Sequence, residues 1–190
     1  MDQTGSSEFL IRSSKIEDCE QIFNLYKMVS KTEGGLARTE AEITELYVKN
    51  FTEKSIENGV QLVIVNQQNN NEEIIGEIHC YKLEPSVFSH ILSELTVCIA
   101  PQYQGKNLGR KLFEALFDKI LVSRNDILRI ELIARESNSK AIQLYEKLGF
   151  IKEGRMENRI HVHGKVFEAD IPMAWFNPDF KDLMHGFKHT

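Results

Sequence analysis

Residues 94–110, ELTVCIAPQYQGKNLGR, decide how the rest of the chain is read. Within ILSELTVCIA (91–100) the pattern is that of a strand, and Pro101 ends it. Gln104-Gly105-Lys106-Asn107-Leu108-Gly109-Arg110 then sets small or left-handed-tolerant residues before a helix predicted over 109–122, where Leu112, Phe113, Leu116, Phe117 and Ile120 share one face. A strand, a glycine-containing loop and a helix follow in direct succession. Such a loop can point successive backbone N–H groups into one concavity at a helix N-terminus, a geometry that suits phosphate. The same loop also serves as a plain tight turn in many chains. It is neither GxxxxGK[ST] nor GxGxxG, so nucleotide hydrolysis and dinucleotide redox chemistry lose support.

Upstream, FLIR (9–12) reads as a short strand, followed by Ser13 or Ser14 as cap of a helix over 16–30 carrying Cys19, Ile22, Phe23, Tyr26 and Val29. Gly34-Gly35 follows that helix. Thr39 with Glu42 has the form of a capping box and predicts a second helix over 39–57, closed by Gly59. Strands at 60–65 and 74–83 flank NQQNNNEE, a hairpin tip. Downstream come a strand at 127–134, a helix at 138–148 with Asn138 as N-cap and Gly149 as stop, and strands at 150–160 and 165–176. The order β-α-α-β-β-β-α-β-α-β-β predicts an α/β fold of the α+β type: a mixed, largely antiparallel sheet of about seven strands with about four helices on its faces. One domain over 9–176 and a polar tail over 177–190, with His185 and His189, are expected.

Leu, Ile, Val and Phe supply 57 of 190 residues, enough for a sizeable core. The net charge of −5 argues against bulk attraction to nucleic acid or an anionic membrane, so an anionic ligand needs a dedicated site. Cys19, Cys80 and Cys98 form neither a disulfide framework nor a CxxC pair, which fits a reducing compartment. MDQTGSSEFL lacks the basic start and apolar run of a secretory leader, and no later run approaches the ~18 apolar residues of a membrane span. A cytoplasmic protein without membrane partners is expected.

A second cluster runs from Asn138 through Ala141, Leu144, Tyr145 and Leu148 to Gly149-Phe150. Seven residues, about two helical turns, separate Asn138 from Tyr145, so both fall on one side of the helix. One could orient a ligand amide and the other act as an acid, or Asn138 is a cap and Tyr145 a core residue. Taken together, ELTVCIAP, QGKNLG, NSKAIQLYEKLGF and the ending Gly164…Asp170…Met173 resemble the GCN5-related N-acetyltransferase superfamily over about residues 9–176. The chain departs from that family's Q/R-x-x-G-x-G/A pattern at Asn107, the non-glycine residue most tolerant of left-handed backbone, so the loop shape is expected to survive.

The resemblance implies an acyl-CoA N-acyltransferase fold in which strands four and five part at a bulge and the pantetheine arm of acetyl-CoA pairs with exposed backbone, here Val97, Cys98 and Ile99. The pyrophosphate would lie on the loop from Gln104 and Gly105 through Lys106, Asn107, Leu108 and Gly109 to Arg110, with Asn138 and Tyr145 also toward the cofactor. A primary amine must lose a proton before attacking the thioester. Glu94 is the candidate base or amine-holding group, sharing a face with Thr96, Cys98 and Ala100 by strand alternation, unless it is a rim or ion-pair residue. Tyr145 would protonate the departing thiolate, and an N–H near Val97 or Cys98 would polarise the thioester oxygen. Glu131, on one face with Ile133, is the reserve base. Cys98, without a neighbouring His, reads as a small buried thiol.

His161 and His163 share a face, but no third ligand is evident, so no metal is expected and a solvent-facing pair is the plainer reading, beside a place in the acceptor site. The expected activity is acetyl transfer from acetyl-CoA to a primary amine of a small molecule or a protein by direct attack. The alternative is a non-catalytic acyl-CoA-binding sensor or interaction module, and a homodimer is left open. The acceptor-specifying segments, Lys31 to Arg38 and Arg155 to Val166, are mixed in charge and select no single amine.

Overall fold

Short β-branched runs and amphipathic stretches alternate into eight strands and four α-helices in this computed structural model, which describes residues 9–32, 35–67, 72–161 and 167–181. The order is β1 (Phe9–Ser13), α1 (Cys19–Ser30), α2 (Glu45–Asn58), β2 (Gly59–Asn66), β3 (Glu73–Tyr81), β4 (Ile91–Ile99), α3 (Leu108–Ser123), β5 (Arg129–Arg135), α4 (Ser139–Lys147), β6 (Ile151–Lys152), β7 (Met156–Ile160) and β8 (Glu168–Phe176). The sheet is mixed and mostly antiparallel, as expected, with one strand more than the seven anticipated. The predicted strand at 150–160 divides: β6 pairs Ile151 with Ala174, and β7 pairs Met156 with Asp170. Opposite the break stands Pro172, which has no N–H to give a ladder, although its carbonyl accepts from Glu153 N at 2.9 Å.

The chain forms two compact units, Met1–His79 with Val97–Ala115, and Cys80–Thr96 with Leu116–Thr190. In the first, β1 runs antiparallel to β2, from Phe9 opposite Asn66 to Ser13 opposite Leu62, and β2 neighbours β3. Ile22, Leu25, Tyr26 and Val29 of α1 are buried, as are Leu62 to Val65 of β2. The helix predicted from residue 16 begins with a 3-10 turn, Ile16–Asp18, and α1 starts at Cys19. Neither Ser13 nor Ser14 caps it. The Asp18 carboxylate instead accepts from Lys15 N at 2.9 Å and from both arms of the Arg12 guanidinium at 2.7 and 2.9 Å. The helix predicted over 39–57 also divides. The Thr39–Glu42 box closes a single 3-10 turn, Ile43 turns extended and buries its side chain, and Thr44 Oγ1 caps α2 by accepting from Tyr47 N at 3.1 Å.

In the second unit β5 pairs antiparallel with β8 along its whole length, from Arg129 opposite Phe176 to Arg135 opposite Asp170. Leu116, Ile120, Ile130, Leu132 and Met173 are buried, and Phe117 stacks on Trp175 at 4.5 Å. Helix α4 ends as the sequence anticipates: Gly149 takes a left-handed φ of 93°, its N–H donates to Glu146 O at 3.1 Å, and Phe150 N donates to Tyr145 O at 3.0 Å.

Candidate active site

The loop ahead of α3 is built as its residues suggest. Ala100 N donates to Ile75 O, a 3-10 turn spans Pro101–Tyr103, and Gln104 Nε2 donates back to Ile99 O at 3.1 Å. Gly105 and Asn107 take left-handed φ values of 77° and 61°, so the departure from glycine at 107 is accommodated by the residue type that tolerates that region best. The Asn107 carbonyl accepts the first helical bond, from Lys111 N at 3.1 Å. Among the described residues, no acceptor is found for the N–H groups of Gly105 through Arg110, as the first turn of a helix leaves its N–H groups without intrahelical partners. Apart from their chain neighbours and the adjacent helix backbone, nothing among the described residues lies within 4 Å of the point where a Cβ on Gly105 or Gly109 would sit. Lys106 Nζ stands 5.1 Å from the Tyr103 ring centre, whereas the Arg110 guanidinium is occupied by Glu114 at 2.8 Å. Of the two cations expected here, Arg110 is the one held by a neighbouring carboxylate.

On β4, Val97 and Ile99 are half-buried and Cys98 is buried, where burial pushes its thiol well up from its ordinary value. This is the small inert thiol expected of Cys98. The simple alternation expected for this strand fails at Glu94, which has a left-handed φ of 55° and an exposed side chain, whereas Leu92 and Ser93 are consecutive buried residues. Glu94 therefore does not continue the face of the buried Cys98 and Ala100.

In the second unit, the parallel pairing of β4 with β5 covers Ile91 with Arg129 and Leu92 with Ile130, then stops two residues before Glu94. Beyond that point Ser93 to Thr96 and Glu131 to Ile133 line a cavity of about 500 Å³, whose rim includes Glu153 and Arg159. Ile130, Leu132 and Ala134 are buried while Glu131 and Ile133 are more open, so the latter two share the face expected of them, and Glu94 and Glu131 meet in one cavity. The Glu131 carboxylate accepts from Ser93 Oγ at 2.7 Å and pairs with Arg129 Nη2 at 3.1 Å. Arg129 also grips Glu153 with both arms, at 3.1 and 2.6 Å. The lining carries the carboxylates of Glu94, Glu131 and Glu153 and the guanidinium of Arg159, and Arg129 pairs with two of the three carboxylates.

Helix α4 carries the remaining candidates. Asn138 Oδ1 accepts from Ala141 N at 3.2 Å, so its side-chain oxygen is the helix cap. Tyr145 lies 5.9 Å from Phe150, centre to centre, and burial pushes its phenol up to about 12, which keeps it protonated at neutral pH. His161 is exposed and stacks on Phe167 at 4.6 Å; His163 and Gly164 lie outside the described residues, as do Gly34 and the tail histidines His185 and His189.

A family model described as "Acetyltransferase (GNAT) domain" matches residues 58–152, half of the chain. The chain belongs to the GNAT acetyltransferase family. Among curated GNAT relatives, a spermidine N(1)-acetyltransferase of Vibrio cholerae is 28% identical over 124 residues, 65% of this chain and 66% of that protein. A [ribosomal protein bS18]-alanine N-acetyltransferase of Escherichia coli is 40% identical over 63 residues, 32% of this chain and 41% of its own length. These alignments therefore span less than two thirds of either relative. A crystal structure of spermidine N-acetyltransferase from Vibrio cholerae in complex with CoA and spermine superposes with a TM-score of 0.71 at 21% identity, covering 92% of this chain and 99% of that one. At that identity the likeness is one of fold.

This GNAT chain also holds a polar cluster that the sequence reading passed over. In the first unit, Glu77 is fully buried; its Oε2 accepts from Tyr26 OH at 2.6 Å, its Oε1 accepts from Gln61 Nε2 at 2.8 Å, and His79 Nδ1 lies 3.0 Å from that same Oε1. The His79 ring stacks on Phe51 at 4.0 Å. The signal was present in IIGEIHCYKL: two polar residues at i and i+2 in an apolar strand must share a face and find partners there.

Proposed function

We propose that this chain is an N-acetyltransferase that moves the acetyl group of acetyl-CoA to a primary amine by direct attack within a ternary complex. The observation that carries the reading is the row of N–H groups from Gly105 to Arg110 at the start of α3, which find no acceptor among the described residues and could serve a diphosphate. Family membership supplies the reaction class. Val97, Cys98 and Ile99 would present backbone to the pantetheine arm, with Gln104, Lys106 and Asn107 shaping the loop around the phosphates. Asn138, its oxygen already engaged as a cap, retains its amide N–H groups for the cofactor.

In the reaction, the amine gives a proton to Glu94, directly or through water, and its lone pair attacks the thioester carbon. An N–H at Val97 or Cys98 steadies the oxyanion. Collapse expels the CoA sulfur, which takes the proton of the Tyr145 hydroxyl, while the extra proton left on the acylated nitrogen passes through water to the tyrosinate, giving the neutral amide and restoring the phenol. The acidic cavity beside Glu94 favours a small cationic acceptor over a neutral one, in keeping with relatives named for spermidine and for a protein's alanine. That cavity also favours an enzyme over an acyl-CoA sensor, which needs no acceptor site. The domain would span 9–176, and three free cysteines suit a reducing cytoplasm. Incubation with acetyl-CoA and a panel of alkylamines, polyamines and peptides tests this, with free thiol recorded and products weighed by mass spectrometry. Thiol release matched by an acetylated amine is expected; tight CoA binding without thiol release from any amine would leave the sensor.

A further inference from the structure

Glu131 and Glu94 face the same cavity, but their carboxylates are held very differently. Both oxygens of Glu131 are engaged: Oε1 accepts from Ser93 Oγ at 2.7 Å and Oε2 lies 3.1 Å from Arg129 Nη2. Ser93 is buried, 8% exposed, so its hydroxyl has little water to turn to. The Arg129 guanidinium is fixed in turn by Glu153 through two bonds and lies 5.4 Å from the Phe176 ring centre. Glu153 is itself anchored, because its N–H donates to Pro172 O at 2.9 Å. Ser93 of β4 and Arg129 of β5 thus engage one carboxylate, with Glu153 in the turn after β6 holding Arg129 from behind. Ser93 and Arg129 together hold the carboxylate in one place, and each of its oxygens keeps a second lone pair that can face an ammonium group. Glu94, exposed at a left-handed position within β4, has no such restraint among the described residues.

We propose that Ser93 and Arg129 are positioning residues that hold Glu131 as a fixed anionic anchor for the ammonium group of the acceptor, leaving the receipt of the proton to Glu94. This rests on the acetyltransferase reading above. Glu153 completes the device by keeping Arg129 turned toward Glu131 and away from the incoming amine. Arg129 is the informative residue, since its two conceivable effects have opposite signs. If its charge alone mattered, removing a cation from an amine-binding cavity would tighten the amine; as a positioning residue, its removal frees Glu131 and weakens the amine.

The test is steady-state kinetics with the best amine of the panel, together with the pH profile of kcat. Glu131→Gln is expected to raise the amine KM about tenfold or more while kcat changes little and its acidic limb stays in place. Glu94→Gln should abolish that limb. Arg129→Met should raise the amine KM several-fold, with Arg129→Lys recovering part of the loss, and Ser93→Ala should act in the same direction, with Ser93→Thr restoring it. A lowered KM in Arg129→Met, an unchanged KM in Glu131→Gln, or loss of the acidic limb in Glu131→Gln would each overturn the proposal. Binding of n-butylammonium to the CoA-loaded protein, followed by NMR, separates this from the parent reading. Wild type that binds the probe and Glu131→Gln that does not would uphold the anchor even without turnover, and wild type that does not bind it would refute the anchor.

Discussion

Gly109→Glu separates a ligand-binding loop from a structural turn, because the two predict opposite changes in stability and affinity. Gly109 is the second residue of α3, and beyond its chain neighbours and the adjacent helix backbone no atom of the described residues lies within 4 Å of a Cβ built on it, so a side chain there meets open space. Replacing glycine within a helix recovers about 0.5 kcal/mol of propensity. A carboxylate in the first turn adds roughly 0.3–1 kcal/mol against the helix dipole. The variant should therefore be more stable by about 1 kcal/mol, which raises Tm by roughly 2–4 °C for a chain of this size. CoA should respond the other way. A carboxylate at about 4 Å from a phosphate charge costs between about 1 kcal/mol in bulk water and about 4 kcal/mol near a protein surface. That corresponds to a loss of at least fivefold, centred on roughly 10- to 100-fold. Calorimetric titration of CoA and a melting curve of the free protein measure both quantities on one sample. Gly109→Gln, equal in bulk without the charge, should give a smaller loss of affinity at similar stability. Unchanged CoA affinity in Gly109→Glu, or stability and affinity falling together, would refute the placement of the diphosphate.

Tyr145→Phe should lower turnover about tenfold or more, within or just below the usual range for a positioned acid, with CoA affinity nearly intact. Because burial raises the Tyr145 phenol from 10 to about 12, its contribution to stability is complete below pH 10 and is lost as pH climbs toward 12; the high-pH limb of a stability profile should be shallower in the Phe variant. Tyr26→Phe removes the 2.6 Å bond to buried Glu77 and should cost about 2 kcal/mol, seen as a Tm lower by roughly 4–8 °C; a shift below 1 °C would show that Glu77 does not need this donor. Asp126, held at about 2 by the competition of its Arg124 and Lys82 bonds against burial, stabilises the fold above pH 3.8 and ceases to as pH falls through 2; Asp126→Asn should flatten the acid end of urea-unfolding midpoints.

The order of elements, the loop before α3 and the stop of α4 were legible because they depend on neighbours along the chain. Apolar spacing marks α3, and the loop needs residues that accept positive φ, which Gly105 and Asn107 supply. Gly149 ends α4 for the same local reason. Boundaries misread were those at which a distant demand outweighed a local signal. The Thr39–Glu42 capping box is genuine, yet the helix did not run on from it because Ile43 is drawn into the core. Likewise Asp18, fixed by Arg12, displaced the serines expected to cap α1.

What the residues determined unaided is thus the family resemblance, the glycine- and asparagine-bearing loop before α3 and the candidacy of Glu94, Glu131 and Tyr145. Only the tertiary structure decided which of them stand together and in what posture. Glu94 leaves its strand face through a left-handed backbone angle that no alternation rule foresees. Glu131 is clasped by Ser93 from 38 positions away, and Tyr26 reaches Glu77 across 51. Such pairings are set by strand register and by the demand that buried polar groups find partners, and both are properties of the packed chain.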